Sequence, residues 1–232
     1  MTGDDFARRV AGVAALAEEV RRDLYLYVVA EPEPVSRDQA AAGVGVPRHT
    51  AKFHLDRLVE EGLLETEFRR LSGRQGPGAG RPAKLYRRSL GEVTVSLPER
   101  HYDLAGRLLA GAIEDSSRDG TPVRAALQSG AQSFGAGLGA EARARAGDPV
   151  TAATAQSAAC DVLAEHGYEP RVTVRSITLE NCPLHRLAEE HTDLVCGMNL
   201  DLVGALAAAL DDHLTPRLDP VDGRCCVVLD TG

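Results

Sequence analysis

Apolar residues Val10, Val13, Ala14, Leu16, Ala17, Val20, Leu24 and Tyr27 recur at steps of three and four. That is the spacing of one helical face, and it predicts a helix or two abutting helices over residues 6–29. Glu31-Pro-Glu-Pro34 ends the pattern, because proline lacks a donor and drives its predecessor out of the helical region. Ser36 then offers an N-cap, with Gln39 three residues on to complete a capping box, and a short helix runs to Ala42. Gly43-Val-Gly-Val46 supplies a tight turn, Pro47 suits a first helical turn, and a second helix extends from Arg48 to Glu61 before Gly62. On it Ala51, Leu55, Leu58 and Val59 share one face, with Arg48, His49, Lys52 and Phe53 nearer the other. Strands follow at 63–68 and 84–87, separated by a segment, Ser72 to Ala83, in which six of twelve residues are Gly or Pro.

Beyond residue 90 the pattern changes. Residues 99–140 read as helical, with Leu104, Leu108, Leu109 and Ile113 on one face. Gly135, Gly137 and Gly139 are spaced G-x-G-x-G with no strand before them, which suits close helix packing rather than a dinucleotide site. Ser133 lacks the spacing of a nucleophile elbow. A helix over 152–166 ends at Gly167, and residues 171–179 alternate as a strand. A helical stretch to Cys196, a further helix over 200–210 and a strand over 224–229 complete the chain. The fold class is α+β, with three parts. The expected parts are residues 1–90, helices followed by a hairpin; 91–150, a helical connector or dimerisation region; and 151–232, a mixed α+β domain.

Of the 232 residues 44% are hydrophobic and 26% charged, enough for a packed core and against wholesale disorder. The longest greasy stretch, Leu200 to Leu210, is interrupted by Asp201 and falls short of the roughly 20 residues of a membrane span. Asp4, Asp5, Arg8 and Arg9 do not make a secretory leader, so a cytoplasmic protein is expected. The net charge of −8 is unevenly divided. Residues 1–90 carry 15 basic against 13 acidic groups, and residues 91–232 carry 11 against 21. Within Thr66 to Arg88, seven basic residues face Glu67 alone, a local patch that attracts a polyanion despite the acidic total.

Short helix, turn, helix with a basic exposed face, then a hairpin with an Arg-bearing tip is the order of a winged helix-turn-helix. The segment Ser36 to Arg88, ending in Gly80-Arg-Pro-Ala-Lys-Leu-Tyr86, resembles bacterial regulators of the broad ArsR-like group. On this reading Arg48, His49, Lys52 and Phe53 meet base edges, and Arg74 and Arg81 reach the backbone or minor groove of double-stranded DNA. His54 either joins them or packs inside. A homodimer on a near-palindromic operator is expected, with the first helix serving as dimer surface or as core.

All five cysteines, Cys160, Cys182, Cys196, Cys225 and Cys226, lie in the later part of the chain, a poor disulfide framework and a better metal or redox set. The spacing is Cys182-x2-His185, Cys182-x13-Cys196 and Cys196-x28-Cys225, with thiols drawn from several elements, as zinc or an iron–sulfur centre requires. Strand alternation admits one of Cys225 and Cys226, with Cys225 preferred because it shares a face with Val227 and Leu229. Cys160 reads as a small core hydrophobe, and His191 and His213 as surface or capping residues. Behind the winged helix, the three cysteines Cys182, Cys196 and Cys225 resemble the pattern of SufR-like repressors of iron–sulfur cluster assembly. That resemblance implies a homodimer with a [4Fe–4S] cluster on each subunit and DNA affinity governed by it, with His185 or Cys226 as fourth ligand. A zinc ion or a thiol switch is the alternative. A remoter one is an enzyme using Cys182 or Cys196 as nucleophile with His185 as base.

Overall fold

A computed structural model describes residues 3–70, 82–210 and 214–232. The chain divides into two compact units, Thr2–Val95 and Ser96–Gly232.

In the first unit the long apolar pattern resolves into two helices, α1 (Gly3–Ala15) and α2 (Glu19–Ala30). The break is local: Glu18 caps α2 by accepting from the backbone N–H groups of Val20 and Arg21 at 3.2 and 2.7 Å. After strand β1 (Val35–Ser36), Ser36 opens α3 (Arg37–Val44) through the expected capping box. Gly45 then takes a left-handed φ of 75° that turns the chain into α4 (Arg48–Glu60). Pro47 stands as the cap before α4, one residue outside its expected place. Strands β2 (Leu64–Arg69) and β3 (Ala83–Arg88) pair antiparallel, and β1 joins the other edge of β3. Leu24, Leu55, Leu58, Leu64 and Tyr86 fill the core, while Val10 and Val13 of α1 lie exposed.

The second unit comprises α5 (Tyr102–Asp119), α6 (Val123–Ala146), α7 (Ala152–Glu165), the hairpin β4 (Pro170–Val172) and β5 (Ser176–Leu179), α8 (His185–Glu190), α9 (Thr192–Leu210), β6 (Leu214–Leu218) and β7 (Val227–Thr231). Its antiparallel sheet has the order β4-β5-β7-β6. The helical run expected over 99–140 is broken at Gly120, whose φ of 78° ends α5, and Ile113 is 56% exposed rather than part of the apolar face. The single strand expected over 171–179 is a hairpin, because the Thr173 hydroxyl accepts from the Ser176 N–H at 3.1 Å and turns the chain. Strand β6 was not expected. It tolerates Pro216 because it is an edge strand.

Helix α9 merges what read as two helices, so Cys196 sits in its second turn and not at a helix end. The merged helix is long and apolar enough for a membrane span by length and composition, contrary to the expectation from Leu200–Leu210. Its burial has another explanation in the unit itself: Val195, Met198, Leu202, Val203 and Leu206 belong to the core that α9 shares with α6 and the sheet. The approach to α6 is close. A Cβ on Gly135 would lie 2.0 Å from the Leu202 carbonyl oxygen, and one on Gly139 2.6 Å from the Ala209 methyl, whereas Gly137 faces open space.

Candidate nucleic-acid interface and cysteine cluster

Ala51, Leu55 and Leu58 turn α4 onto the core with no residual exposure, which fixes the opposite face toward solvent. Arg48, His49, Lys52 and Phe53 are all exposed, Phe53 by 65%. Arg48 is paired in a fork with Asp38 of α3, Nε and Nη2 each 2.6 Å from one carboxylate oxygen. Lys52 lies 3.7 Å from Asp56, one turn along. Asp56 also accepts from Lys84 Nζ at 2.7 Å and from the Tyr86 hydroxyl at 2.9 Å, tying the helix to the wing strand β3. Burial alone would push the Asp56 carboxyl up. The Lys84 and Tyr86 hydrogen bonds and the charges of Lys84 and Lys52 outweigh it and hold the group below its usual range. His54 is packed: its side chain is 13% exposed, with Nδ1 accepting from Arg21 Nε at 3.4 Å and lying 3.4 Å from Glu18. Arg74 and Arg81, like His213, lie outside the described residues.

In the second unit the β5–α8 segment presents Cys182, α9 presents Cys196, and the segment before β7 presents Cys225 and Cys226. The thiols bear on one another's acidity, Cys182 with Cys225, Cys225 with Cys226, and Cys226 with Cys196. Cys225 and Cys226 were expected to face opposite sides of one strand. They precede β7 instead of lying in it, so strand alternation does not govern them. Cys182, Cys196 and Cys225 are buried and Cys226 is half-buried. Among the described residues no three His, Cys, Asp or Glu side chains already stand as a metal-holding group. His185 Nε2 lies 3.2 Å from Glu189, one turn on in α8. Cys160 is half-buried against the core, with its thiol pushed up by burial.

The surroundings sort the thiols into donors and acceptors. Cys182 is drawn down by the Cys225 thiol, the Leu184 N–H and the charge of Arg100, against burial. Cys226 is drawn down to about 6, first by the Cys225 thiol and then, against burial, by the Cys196 thiol. Cys196 is pushed up to about 12 by burial and by donating to Cys226, and Cys225 is pushed up by donating to Cys182 and Cys226. Fixed polar groups hold the loops. Arg100 Nη1 donates to the Cys182 carbonyl at 3.2 Å and to the Asn181 side chain, whose amide donates to the carbonyls of Glu99 and Gly167 at 3.0 and 2.5 Å. The Cys225 N–H donates to the Leu179 carbonyl at 2.8 Å.

Residues 16–67 match the helix-turn-helix domain family. No curated protein matches the chain. The match runs from just before α2 into β2 and supports a winged helix-turn-helix regulator that binds double-stranded DNA.

Around the helix-turn-helix, two residues escaped the sequence reading. Phe68, 67% exposed, stands near the far end of β2, and Lys84 pairs with Asp56 beside the face of α4. Strand alternation, which puts Phe68 on the face of buried Leu64, gave no signal for its exposure. Lys84 depended on a strand-to-helix contact that no local spacing encodes.

Proposed function

We propose that the chain is a homodimeric transcriptional repressor whose C-terminal unit binds an iron–sulfur cluster and whose hold on a near-palindromic operator follows the presence of that cluster. The observation carrying this reading is the burial of Cys182, Cys196 and Cys225 from three separate segments, with Cys225 bonded through its N–H to the Leu179 carbonyl, three residues before Cys182, and through its sulfur to Asn199, three residues beyond Cys196 in α9. Thiolates are the donors such a cluster takes. These four residues would hold it, with Cys226 in preference to His185 as the fourth ligand, since His185 is engaged by Glu189. Bound, the group would supply an oxidant-sensitive link among the three segments. Asn199, Arg100 and Asn181 keep those segments in register in the protein itself. The exposed Val10 and Val13 of α1 support a dimer surface there. Arg48, His49, Lys52 and Phe53 would read base edges, with Arg74 and Arg81 on the backbone. Coupling of about 1–3 kcal/mol between cluster and operator is enough for a usable switch.

Anaerobic purification with iron, sulfide and zinc analysis and an absorption spectrum tests the reading. Expected are a coloured protein with iron and sulfide, and loss of both in Cys182→Ser, Cys196→Ser and Cys225→Ser but not in His185→Ala. A colourless protein with one zinc per chain would replace the cluster by a structural or sensed zinc, for which four thiolates are an equally good donor set. A protein free of metal would leave a thiol network alone.

A further inference from the structure

Lys84 of β3 stands opposite Phe68 of β2 in the hairpin ladder, so the two side chains share one face of the sheet. Its Nζ lies 2.7 Å from one Asp56 carboxylate oxygen, and Lys52 Nζ lies 3.7 Å from the other. Strand and helix thus bring two ammonium groups to a single carboxylate. An ammonium carries three donors, and Lys84 gives one to Asp56, with no second acceptor among the described residues. Its side chain keeps 38% exposure. A cleft of about 430 Å³ lies beside it, bordered by Arg37, Asp38, Lys52, Phe68 and Lys84. Arg48 pairs with Asp38, so four cations, Arg37, Arg48, Lys52 and Lys84, stand against Asp38 and Asp56 around this cleft. A concave surface with such an excess draws a polyanion. Lys52 also belongs to the exposed face of α4 that carries Arg48, His49 and Phe53, which makes DNA the polyanion that reaches the cleft. Phe68, 67% exposed, adds an apolar rim of the kind that a deoxyribose beside a phosphate can cover.

We propose that Lys84 binds one phosphate of the DNA backbone at the root of the hairpin, beside the groove that α4 enters. The inference rests on the DNA-binding reading and adds to it a contact that neither α4 nor the hairpin tip supplies. The bond to Asp56 ties this ammonium to α4, so a phosphate held by Lys84 fixes the register of the helix on the duplex. The contact itself carries no sequence preference, because every nucleotide presents the same phosphate. It does not involve the cysteines and is independent of any group they hold.

The test uses the full-length chain and fluorescence anisotropy over a salt series, on a selected operator and on a scrambled duplex. Lys84→Met alone would leave Asp56 short of a cation and repel DNA whether or not Lys84 touches it. The deciding variant is therefore Asp56→Asn combined with Lys84→Met, whose net charge equals that of the unaltered chain. A phosphate contact expects this double variant to weaken both duplexes alike, by about tenfold, the effect of losing one charged hydrogen bond, and to reduce the slope of log affinity against log salt by about 1. Operators carrying one uncharged methylphosphonate at a time locate the contact. The unaltered chain should lose affinity at each phosphate it holds, and Lys84→Gln, with Asp56 and Tyr86 left in place, should become indifferent to one of those positions. An unchanged salt slope in the double variant, or undiminished sensitivity of Lys84→Gln at every position, overturns the proposal and leaves DNA binding standing. A chain that binds no duplex overturns it together with the DNA-binding reading.

Discussion

Asn199 donates its side-chain amide to the Cys225 sulfur across 3.2 Å, while its carbonyl oxygen accepts from the Tyr168 hydroxyl. With 1% exposure for Asn199 and 3% for Tyr168, neither polar group has water as a substitute partner. One buried side chain therefore satisfies a hydroxyl and orients a thiol at once. Asn199→Leu should orphan the Tyr168 hydroxyl and cost about 2–3 kcal/mol in urea denaturation. Adding Tyr168→Phe to Asn199→Leu should recover part of that loss, since the orphaned hydroxyl is then gone, and a double-mutant cycle reads the coupling. Additive effects would mean that the two residues do not act together.

The α6–α9 crossing yields a contrast among three glycines of one helix. Gly135→Ala would drive a methyl into the Leu202 backbone and Gly139→Ala one into the Leu206 backbone, so each should force the helices apart. A cost of about 2–3 kcal/mol is expected for each, from overpacking against backbone that cannot rotate away. Gly137→Ala meets open space and should raise stability by about 0.5–1 kcal/mol, the helix-propensity gain. Thermal denaturation of the three variants checks the ordering.

Those same glycines show how far the chain could be read without coordinates. G-x-G-x-G identified a small-residue helix but not which members meet a neighbour, because that depends on the rotational setting of α6 against α9. Local signals did well: the Ser36–Gln39 capping box and the apolar face of α4 follow from residues three and four apart. Long-range ones did not. The single helix α9 read as two because no local spacing joined the stretch ending at Cys196 to the one from Leu200; Asp201, which interrupts the greasy run Leu200–Leu210, accepts from Gln128 and Gln132 of α6 at 3.0 and 3.1 Å. Cys225 was preferred over Cys226 by strand alternation, yet β7 begins only after both, at Val227.

Asp56 makes the first unit sensitive to acid. Its carboxyl is held below the ordinary range of an aspartate in the folded state, so it binds fewer protons there than in the unfolded chain. The stabilisation is fully present above the unfolded value and is lost as pH falls through the lower folded value. With a side chain 29% exposed, partly screened by solvent, the contribution is about 1–2 kcal/mol. Asp56→Asn should lower the denaturation midpoint at pH 7 and flatten its decline below about pH 4, as followed by circular dichroism of the full-length chain. An unchanged acid limb would remove Asp56 from that role.

Arg48 and Lys52 enter the DNA interface from different states. The Arg48 side chain is 65% exposed and that of Asp38 55%, so their fork is a surface pair that costs little to break. Arg48 can then present the same two-nitrogen edge to a guanine. Arg48→Ala should weaken binding to a selected operator by about 1–3 kcal/mol and relax preference at one base pair in each half-site. Lys52 approaches as a point charge. With Lys52 as the reader of a base edge, Lys52→Ala should lose preference at one position, whereas equal weakening of all sequences with a slope of log affinity against log salt smaller by about 1 would place it on phosphate. Fluorescence anisotropy over a salt series, on the operator and on single-base variants, distinguishes the two. A salt slope unchanged in Lys52→Ala, combined with lost preference at one position, would make Lys52 the reader of a base.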